Sequence, residues 1–109
     1  MLNDAAILRE WVVNLGRRNA KGRTAHLLCE LVLRMRAAGQ SRENQFNFPL
    51  TQEQLADAVG LTPVHTNRTL QNLRNEGLIA LRAGRLTVLD WDGLAEVGDF
   101  NDGYLRSRF

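Results

Sequence analysis

Apolar side chains recur at helical spacing in two segments near the start of the chain. Over residues 4–15 this spacing predicts a short N-terminal helix, whose apolar positions are Ile7, Leu8, Trp11, Val12 and Leu15. Trp11 and Leu15 need a cover, which is either the same domain or a second copy of the chain. A longer helix is predicted over residues 20–38, with Asn19 as its N-cap.

The second helix and the segment after it indicate where the core lies. The apolar stripe of that helix consists of Leu27, Leu28, Leu31, Val32 and Met35. Residues 40–47 are mostly polar and predict a loop. Phe46, Phe48 and Leu50 then alternate with other residues and predict a short strand. Because Pro49 has no N–H to donate, this strand is expected at the edge of a sheet.

Residues 51–77 predict two helices joined by a tight turn. Thr51 can cap the first helix, and Gln54 completes a capping box. Gly60 suits the left-handed backbone that such a turn often needs. The second helix, residues 62–76, starts with Thr62 as cap and a proline at its first position. This arrangement is typical of a helix-turn-helix, which places its second helix in the major groove of DNA.

Two further apolar segments follow the helix-turn-helix. Residues 78–81 and 86–89 predict a β-hairpin, closed by the loop of residues 82–85. Asp90 or Asp92 is expected to cap a last short helix. The elements together predict a mainly α fold with a small β-hairpin wing, which is a winged helix-turn-helix.

Length and composition fit one domain of this kind. The chain has 109 residues, divided here into an N-terminal helix (1–18) and the winged helix-turn-helix (19–109). Cys29 is the only cysteine, which excludes an internal disulfide and fits a reducing cytoplasm. No apolar run approaches the roughly 18 residues of a membrane span, and no signal peptide or membrane association is expected.

Charge is distributed unevenly along the chain. The net charge is only +2, but residues 17–42 contain seven basic side chains against the single acid Glu30. Residues 90–102 contain five acids and no base. Solvated helix surface is the simpler explanation of a charge run taken alone, but beside the helix-turn-helix this asymmetry suggests one face turned toward an anion.

Three outward positions of the helix over residues 62–76 are candidates for contacts with bases. Arg68 can donate two hydrogen bonds to guanine O6 and N7, worth roughly 1–3 kcal/mol against a wrong base. Asn67 can pair with adenine or bond a phosphate, and Val64 can touch a thymine methyl group. The alternatives are a phosphate contact or plain surface for Arg68 and a passive apolar residue for Val64.

A second set of residues is predicted to contact phosphates. Thr51 and Gln52 lie at a helix N-terminus, where free N–H groups and the helix dipole favour an anion. The remaining predicted phosphate contacts are His65 and Gln71 on the second helix and Arg82 and Arg85 on the wing. The alternatives are capping alone for Thr51, and solvated side chains for His65 and the hairpin arginines.

No constellation of residues indicates catalysis, so an enzyme is not expected. His26 and Cys29 have helical i, i+3 spacing, but two ligands do not make a metal site, and both fit a packed helix better. No phosphate-binding glycine loop, Ser/His/Asp set or carboxylate pair is present. No catalytic residue, metal site or cofactor is assigned.

Residues 49–90 resemble the C-terminal DNA-binding domain of the Crp/Fnr superfamily of bacterial transcription regulators, over the segment PLTQEQLADAVGLTPVHTNRTLQNLRNEGLIALRAGRLTVLD. Residues 9–35 resemble the end of that family's dimerisation helix and the first helix of its DNA domain. By this resemblance Arg68 matches the guanine-reading arginine. Val64 and Asn67 fall where members choose bases, and the phosphate-contacting positions of the family are Thr51, Gln52 and His65.

The resemblance also implies partners. It implies a homodimer on near-palindromic double-stranded DNA, contact with RNA polymerase, and a cytoplasmic, nucleoid-associated location in a bacterium. Family members carry an N-terminal β-barrel sensor, and this chain starts too late to contain one. The chain is therefore expected to be either a fragment or a relative without a sensor, and no small-molecule effector site is expected in it.

Two positions depart from the family pattern. Val64 stands where many members have glutamate, which changes the expected half-site. Thr66 replaces the usual Val or Ile, and its hydroxyl is expected to bond the carbonyl of Thr62. The alternative function is a winged-helix module that pairs with or sequesters a full-length regulator, which only Val64 favours, since residues 64–72 are otherwise polar and basic.

Overall fold

A computed structural model of the chain describes residues 19–42 and 44–100. The helix predicted over residues 4–15 lies outside these ranges, and so does the tail after Phe100. The described part contains four helices and a three-stranded antiparallel sheet. The prediction of a mainly α fold with a small β wing is therefore confirmed.

The first described helix, α1 (Ala20–Ala37), is the centre of the domain. Its N-cap is Asn19, whose side chain accepts a hydrogen bond from the Gly22 N–H over 2.7 Å, as predicted. The predicted apolar stripe lies inward, but burial extends well beyond it. His26 and Glu30 are fully buried because other elements cover α1 on several sides, whereas the sequence pattern predicted one buried face.

The strand after α1 is shorter than its alternating pattern predicts. β1 covers Gln45–Asn47 and pairs antiparallel with β3 (Arg85–Val88), the central strand of the sheet. β1 is thus an edge strand, as predicted, and the loop predicted over residues 40–47 ends earlier. Phe48 adds one more backbone bond, from its N–H to the Gly84 carbonyl over 2.8 Å, before Pro49 ends the pairing.

The helix-turn-helix consists of α2 (Gln52–Val59) and α3 (Pro63–Asn75). Thr51 and Gln54 form the predicted capping box, with bonds of 3.1 and 2.9 Å. Gly60 ends α2 in the left-handed conformation, at φ 72°. Thr62 caps α3 through its hydroxyl, which accepts from the His65 N–H. These local signals produced the predicted elements with shifts of one residue at the ends.

The hairpin turn is tighter than predicted. β2 (Ile79–Arg82) and β3 are joined by only Ala83 and Gly84, both at positive φ. Such a two-residue turn matches the twist of paired strands. Arg82 and Arg85, which were predicted to be loop residues, are therefore strand residues that face each other across the hairpin.

The last helix, α4 (Trp91–Val97), returns the chain to α1. Of the two predicted caps, Asp90 is the one used, and its carboxylate accepts from the Gly93 N–H over 3.0 Å. Behind α4, Gly98 lies directly against α1. A single core joins all the layers, and its largest fully buried apolar side chains are Leu28, Phe46, Leu55, Leu73, Ile79, Leu86 and Leu94.

Candidate nucleic-acid interface

Helix α3 divides cleanly into an inner and an outer face. Its buried residues are Thr66, Thr69, Leu70 and Leu73, which recur at helical spacing. The outer face is exposed and consists of Val64, His65, Asn67, Arg68, Gln71 and Asn72. Because these side chains do not pack in the core, they are available to a ligand.

Arg68 is in the middle of this outer face. Its side chain is exposed and makes no hydrogen bond or ion pair with residues 19–42 or 44–100. The sequence of α3, PVHTNRTLQNLRN, contains no acid that would neutralise it. A guanidinium in this state presents a planar set of donors that suits guanine or a phosphate.

Val64 is the most exposed large apolar side chain of the described residues, at 70%. It is the second residue of α3, one turn before Arg68 on the outer face. A valine here cannot accept a hydrogen bond, so it cannot bind a base donor such as cytosine N4. It can contact a methyl group.

The start of α2 lies beside α3, so residues far apart in sequence come together. Nε2 of Gln52 donates a hydrogen bond to Oδ1 of Asn67 over 3.3 Å. The Thr51 hydroxyl oxygen accepts from the Gln54 N–H, which leaves its own hydrogen free to donate. Predicted base and phosphate contacts therefore share one surface.

The side chains of His65 and Gln71 differ in their freedom. The His65 backbone takes part in the α3 cap, and its ring is exposed. Gln71 is held along the helix, since its Nε2 donates to Asn75 over 3.0 Å and its Oε1 accepts from Arg74 over 3.3 Å. Nε2 of Gln71 has a second hydrogen, which can donate to a phosphate while both bonds stay in place.

The two wing arginines are also unequal. Arg85 donates to Gln45 over 3.1 Å and to Asn47 over 3.2 Å, which ties it to β1. The side chain of Arg82 makes no hydrogen bond or ion pair with residues of the described ranges. The strand register puts both on the outer face of the sheet, where they line a shallow cavity of about 160 Å³ with Gln45, Ala80 and Thr87.

The hydroxyl of Thr66 does not make the bond that the sequence predicted. The Thr62 carbonyl accepts from the Thr66 backbone N–H over 2.9 Å, while the buried Thr66 Oγ1 has no hydrogen-bond partner in the described part of the chain. The predicted type of bond occurs in Thr69 instead, whose hydroxyl donates to the His65 carbonyl over 2.9 Å. Spacing alone does not fix the side-chain rotamer on which such a bond depends.

His26 and Cys29 are both packed inside the domain. Nδ1 of His26 lies 3.0 Å from the Gly98 carbonyl, and its ring meets Phe100 edge to face. Burial raises the pKa of the Cys29 thiol to about 12, so it is protonated at neutral pH. Within residues 19–42 and 44–100 no three His, Cys, Asp or Glu side chains are grouped to hold a metal ion.

Three long-range contacts around the helix-turn-helix have no signal in the sequence. Arg23 donates from Nε to the carbonyl of Val59, the last residue of α2, over 2.8 Å. Lys21 forms an ion pair with Glu76, the C-cap of α3. The third is the bond between Gln52 and Asn67. Their partners are 36, 55 and 15 positions apart, beyond the reach of local pattern.

These elements define a winged helix-turn-helix, with an exposed polar and basic helix of the kind that enters a DNA groove. The chain belongs to the Crp-like helix-turn-helix domain family, whose model matches residues 22–97. The match confirms the sequence-based predictions of the family and of a DNA-binding role in transcription regulation.

Curated relatives are regulators of the same family. The chain is 38% identical over 110 residues to the transcriptional activator protein FnrL of Cereibacter sphaeroides, covering 95% of this chain and 44% of that protein. It is 30% identical over 81 residues to the nitrogen fixation regulation protein FixK of Azorhizobium caulinodans, covering 74% and 33%. The chain thus spans less than half the length of these relatives.

Solved structures show the same fold. FixK2 of Bradyrhizobium japonicum superimposes with a TM-score of 0.68 at 22% identity, over 86% of this chain and 47% of that one. The catabolite activator protein of Thermus thermophilus gives 0.58 at 24% identity, over 90% and 41%. Across the described residues, every helix is too short or too polar to traverse a lipid bilayer.

Proposed function

We propose that the chain binds double-stranded DNA sequence-specifically, with α3 in the major groove and Arg68 reading a guanine. The observation that carries this proposal is the exposed guanidinium of Arg68, unpaired in the described structure, on a helix without acids. Val64 and Asn67 flank it on the outer face and contact neighbouring bases.

Phosphate contacts surround this reading face in the proposal. They come from Thr51 and Gln52 at the start of α2, from His65 and Gln71 on α3, and from Arg82 and Arg85 on the wing. These contacts supply affinity that falls with salt and carries little sequence information. No catalytic step, cofactor, metal or effector is part of the proposal.

The biological setting is proposed from the family. The chain acts as a homodimer on a near-palindromic site, so that two copies of α3 enter successive major grooves on one side of the duplex. One copy alone binds weakly, and pairing makes the second contact effectively intramolecular. The regulator works in the bacterial cytoplasm, at the nucleoid, and contacts RNA polymerase.

Selection of preferred sites from random duplexes, followed by Arg68→Ala, tests this function. The ratio of the dissociation constants for a scrambled and the preferred duplex is expected to fall about tenfold or more, because the guanine contact is lost. Arg74→Ala is the matched control, since Arg74 is an exposed arginine of the same helix that bonds Gln71. This control is expected to keep the ratio.

Three results contradict the proposal. One is a wild-type chain that binds all duplexes alike. Another is an unchanged ratio for Arg68→Ala. The third is an equal loss of ratio in the two arginine variants, which would mean that charge, not base reading, is the function of Arg68.

A further inference from the structure

The amide side chains of Gln52 and Asn67 meet across the turn of the helix-turn-helix. Gln52 is the first residue of α2, and Asn67 lies in the second turn of α3. Both side chains are exposed, and Nε2 of Gln52 donates to Oδ1 of Asn67 over 3.3 Å. The fold does not need this bond, because buried apolar residues already hold the two helices together.

Gln52 and Asn67 both extend from backbone segments whose positions are fixed by other contacts. The capping box of Thr51 and Gln54 sets the first turn of α2. Gly60 and the buried Leu55 and Leu70 set how α3 crosses α2. The Gln52 amide therefore approaches Asn67 from a defined position, as a supporting group must if it is to orient a reading group.

We infer that Gln52 is a positioning residue that fixes the polarity of Asn67, so that Asn67 presents its Nδ2 donors to DNA. This inference rests on the proposed function. An asparagine amide has a donor end and an acceptor end, and a bidentate pair with adenine uses both. Because the bond turns Oδ1 toward Gln52, Nδ2 lies at the opposite end of the planar amide and is the end presented to a base.

The inference gives the reading face a chemical character. Arg68 offers donors, Asn67 offers donors, and Val64 offers apolar surface. In the major groove guanine presents the acceptors O6 and N7, and thymine presents the acceptor O4 and a methyl group. Adenine presents the acceptor N7 beside its N6 donor, and cytosine presents only the N4 donor. On the strand that Asn67 contacts, its position therefore selects guanine or thymine and rejects cytosine.

The test starts from the site chosen by the wild-type chain. The base position that Asn67 contacts is identified with Asn67→Ala, because this variant loses its preference for one base at that position. Dissociation constants are then measured on four duplexes that differ only there. We expect the wild type to favour guanine or thymine over cytosine by about fivefold or more, and Gln52→Ala to reduce this discrimination to below about twofold.

Gln52→Glu makes the test sharper because a carboxylate cannot donate. Nδ2 of Asn67 then turns toward residue 52, and Oδ1 faces the base. The preference is expected to shift toward cytosine, or toward adenine through its N6 donor. The added negative charge weakens binding to all four duplexes, but the ratios between them cancel that effect.

Two controls separate positioning from a phosphate contact. Glu53→Gln alters the neighbouring exposed residue of α2 and is expected to leave the four ratios unchanged. In an Asn67→Ala background, Gln52→Ala is expected to have no further effect on them. If Gln52→Ala weakens all four duplexes equally, or Gln52→Glu keeps the wild-type order, Gln52 does not position Asn67.

The outcomes also distinguish this inference from the proposed function. A wild-type chain without any preferred duplex refutes both. Two outcomes refute the inference alone. In the first, the sequence preference depends on Arg68 but does not change in Asn67→Ala. In the second, the preference depends on Asn67 but does not change in Gln52→Ala or Gln52→Glu.

Discussion

Two threonines on the inner face of α3 differ in what their hydroxyls bond. The Thr69 hydroxyl donates to the His65 carbonyl over 2.9 Å. The Thr66 Oγ1 is buried, and the described structure provides no partner for it. A buried polar atom without a partner lowers the free energy of unfolding, since unfolding returns it to water. The sequence predicted a bond to the preceding helical turn for the Thr66 hydroxyl, whereas the structure has such a bond at Thr69.

Replacing Thr66 by valine is therefore expected to stabilise the domain. Thr66→Val removes the hydroxyl at nearly constant shape, and the free energy of unfolding is expected to rise by about 1 kcal/mol, measured by urea denaturation. Thr69→Val is the control, because it removes a made hydrogen bond and is not expected to stabilise. Equal effects of the two substitutions would show that the Thr66 hydroxyl is satisfied in solution.

At the scale of elements, the wing depends on two arginines with different tasks. They face each other across the hairpin, where two like charges repel. The Arg85 guanidinium is bonded to the side chains of Gln45 and Asn47, whereas the Arg82 guanidinium has no hydrogen bond or ion pair with a described residue. Arg85 therefore links the hairpin to the edge strand, and Arg82 is the arginine ready to meet a phosphate.

The salt dependence of DNA binding distinguishes these tasks. Arg82→Ala is expected to weaken binding to all sequences alike and to reduce the slope of log K against log salt by about 0.9. Arg85→Ala is expected to change the slope less, because bonds to β1 compete for its guanidinium. The reverse order would assign the phosphate contact to Arg85, and two unchanged slopes would remove the wing from the interface.

How far each element could be predicted follows from how local its cause is. Thr51 with Gln54, and Thr62 with its proline, act within one helical turn, so the sequence locates both helices of the turn unit. The outward positions of α3 follow from its period in the same way. The hairpin was predicted, but its loop was predicted as residues 82–85, because alanine rarely adopts the positive φ that Ala83 needs in a two-residue turn.

The candidate site was predicted less completely than the helices. Periodicity placed Arg68 and Val64 on the outer face, which needs only the pitch of α3. It did not show that Gln52 bonds Asn67 or that Arg85 bonds β1. These contacts depend on how separate elements cross, and that crossing is set by the tertiary packing of the core.

At the scale of the whole molecule, the described chain closes on itself where α4 meets α1. Gly98, directly after α4, lies so close to α1 that a Cβ there would be 2.6 Å from the His26 backbone nitrogen. The Gly98 carbonyl is also 3.0 Å from Nδ1 of His26. Backbone atoms cannot rotate away from a new methyl group, so this position requires glycine.

Gly98→Ala is accordingly expected to be costly. The free energy of unfolding is expected to fall by roughly 3 kcal/mol, at the upper end for overpacking, because the obstructing atoms are backbone. Gly39→Ala provides a comparison, since a Cβ there meets open space and the cost is only that of a left-handed backbone, about 1 kcal/mol. Urea denaturation of both variants measures the difference, and equal losses would contradict tight docking of α4.

The two contacts that α1 makes through its first turn have a mechanical consequence. Arg23 holds the end of α2, and Lys21 holds the end of α3, so one helical turn anchors both members of the reading unit. A rotation of α3 about Gly60 relative to α1 would have to break the contact of Lys21 with Glu76. We therefore expect the three helices to move together, so that the orientation of α1 sets the angle at which the outer face of α3 approaches a ligand.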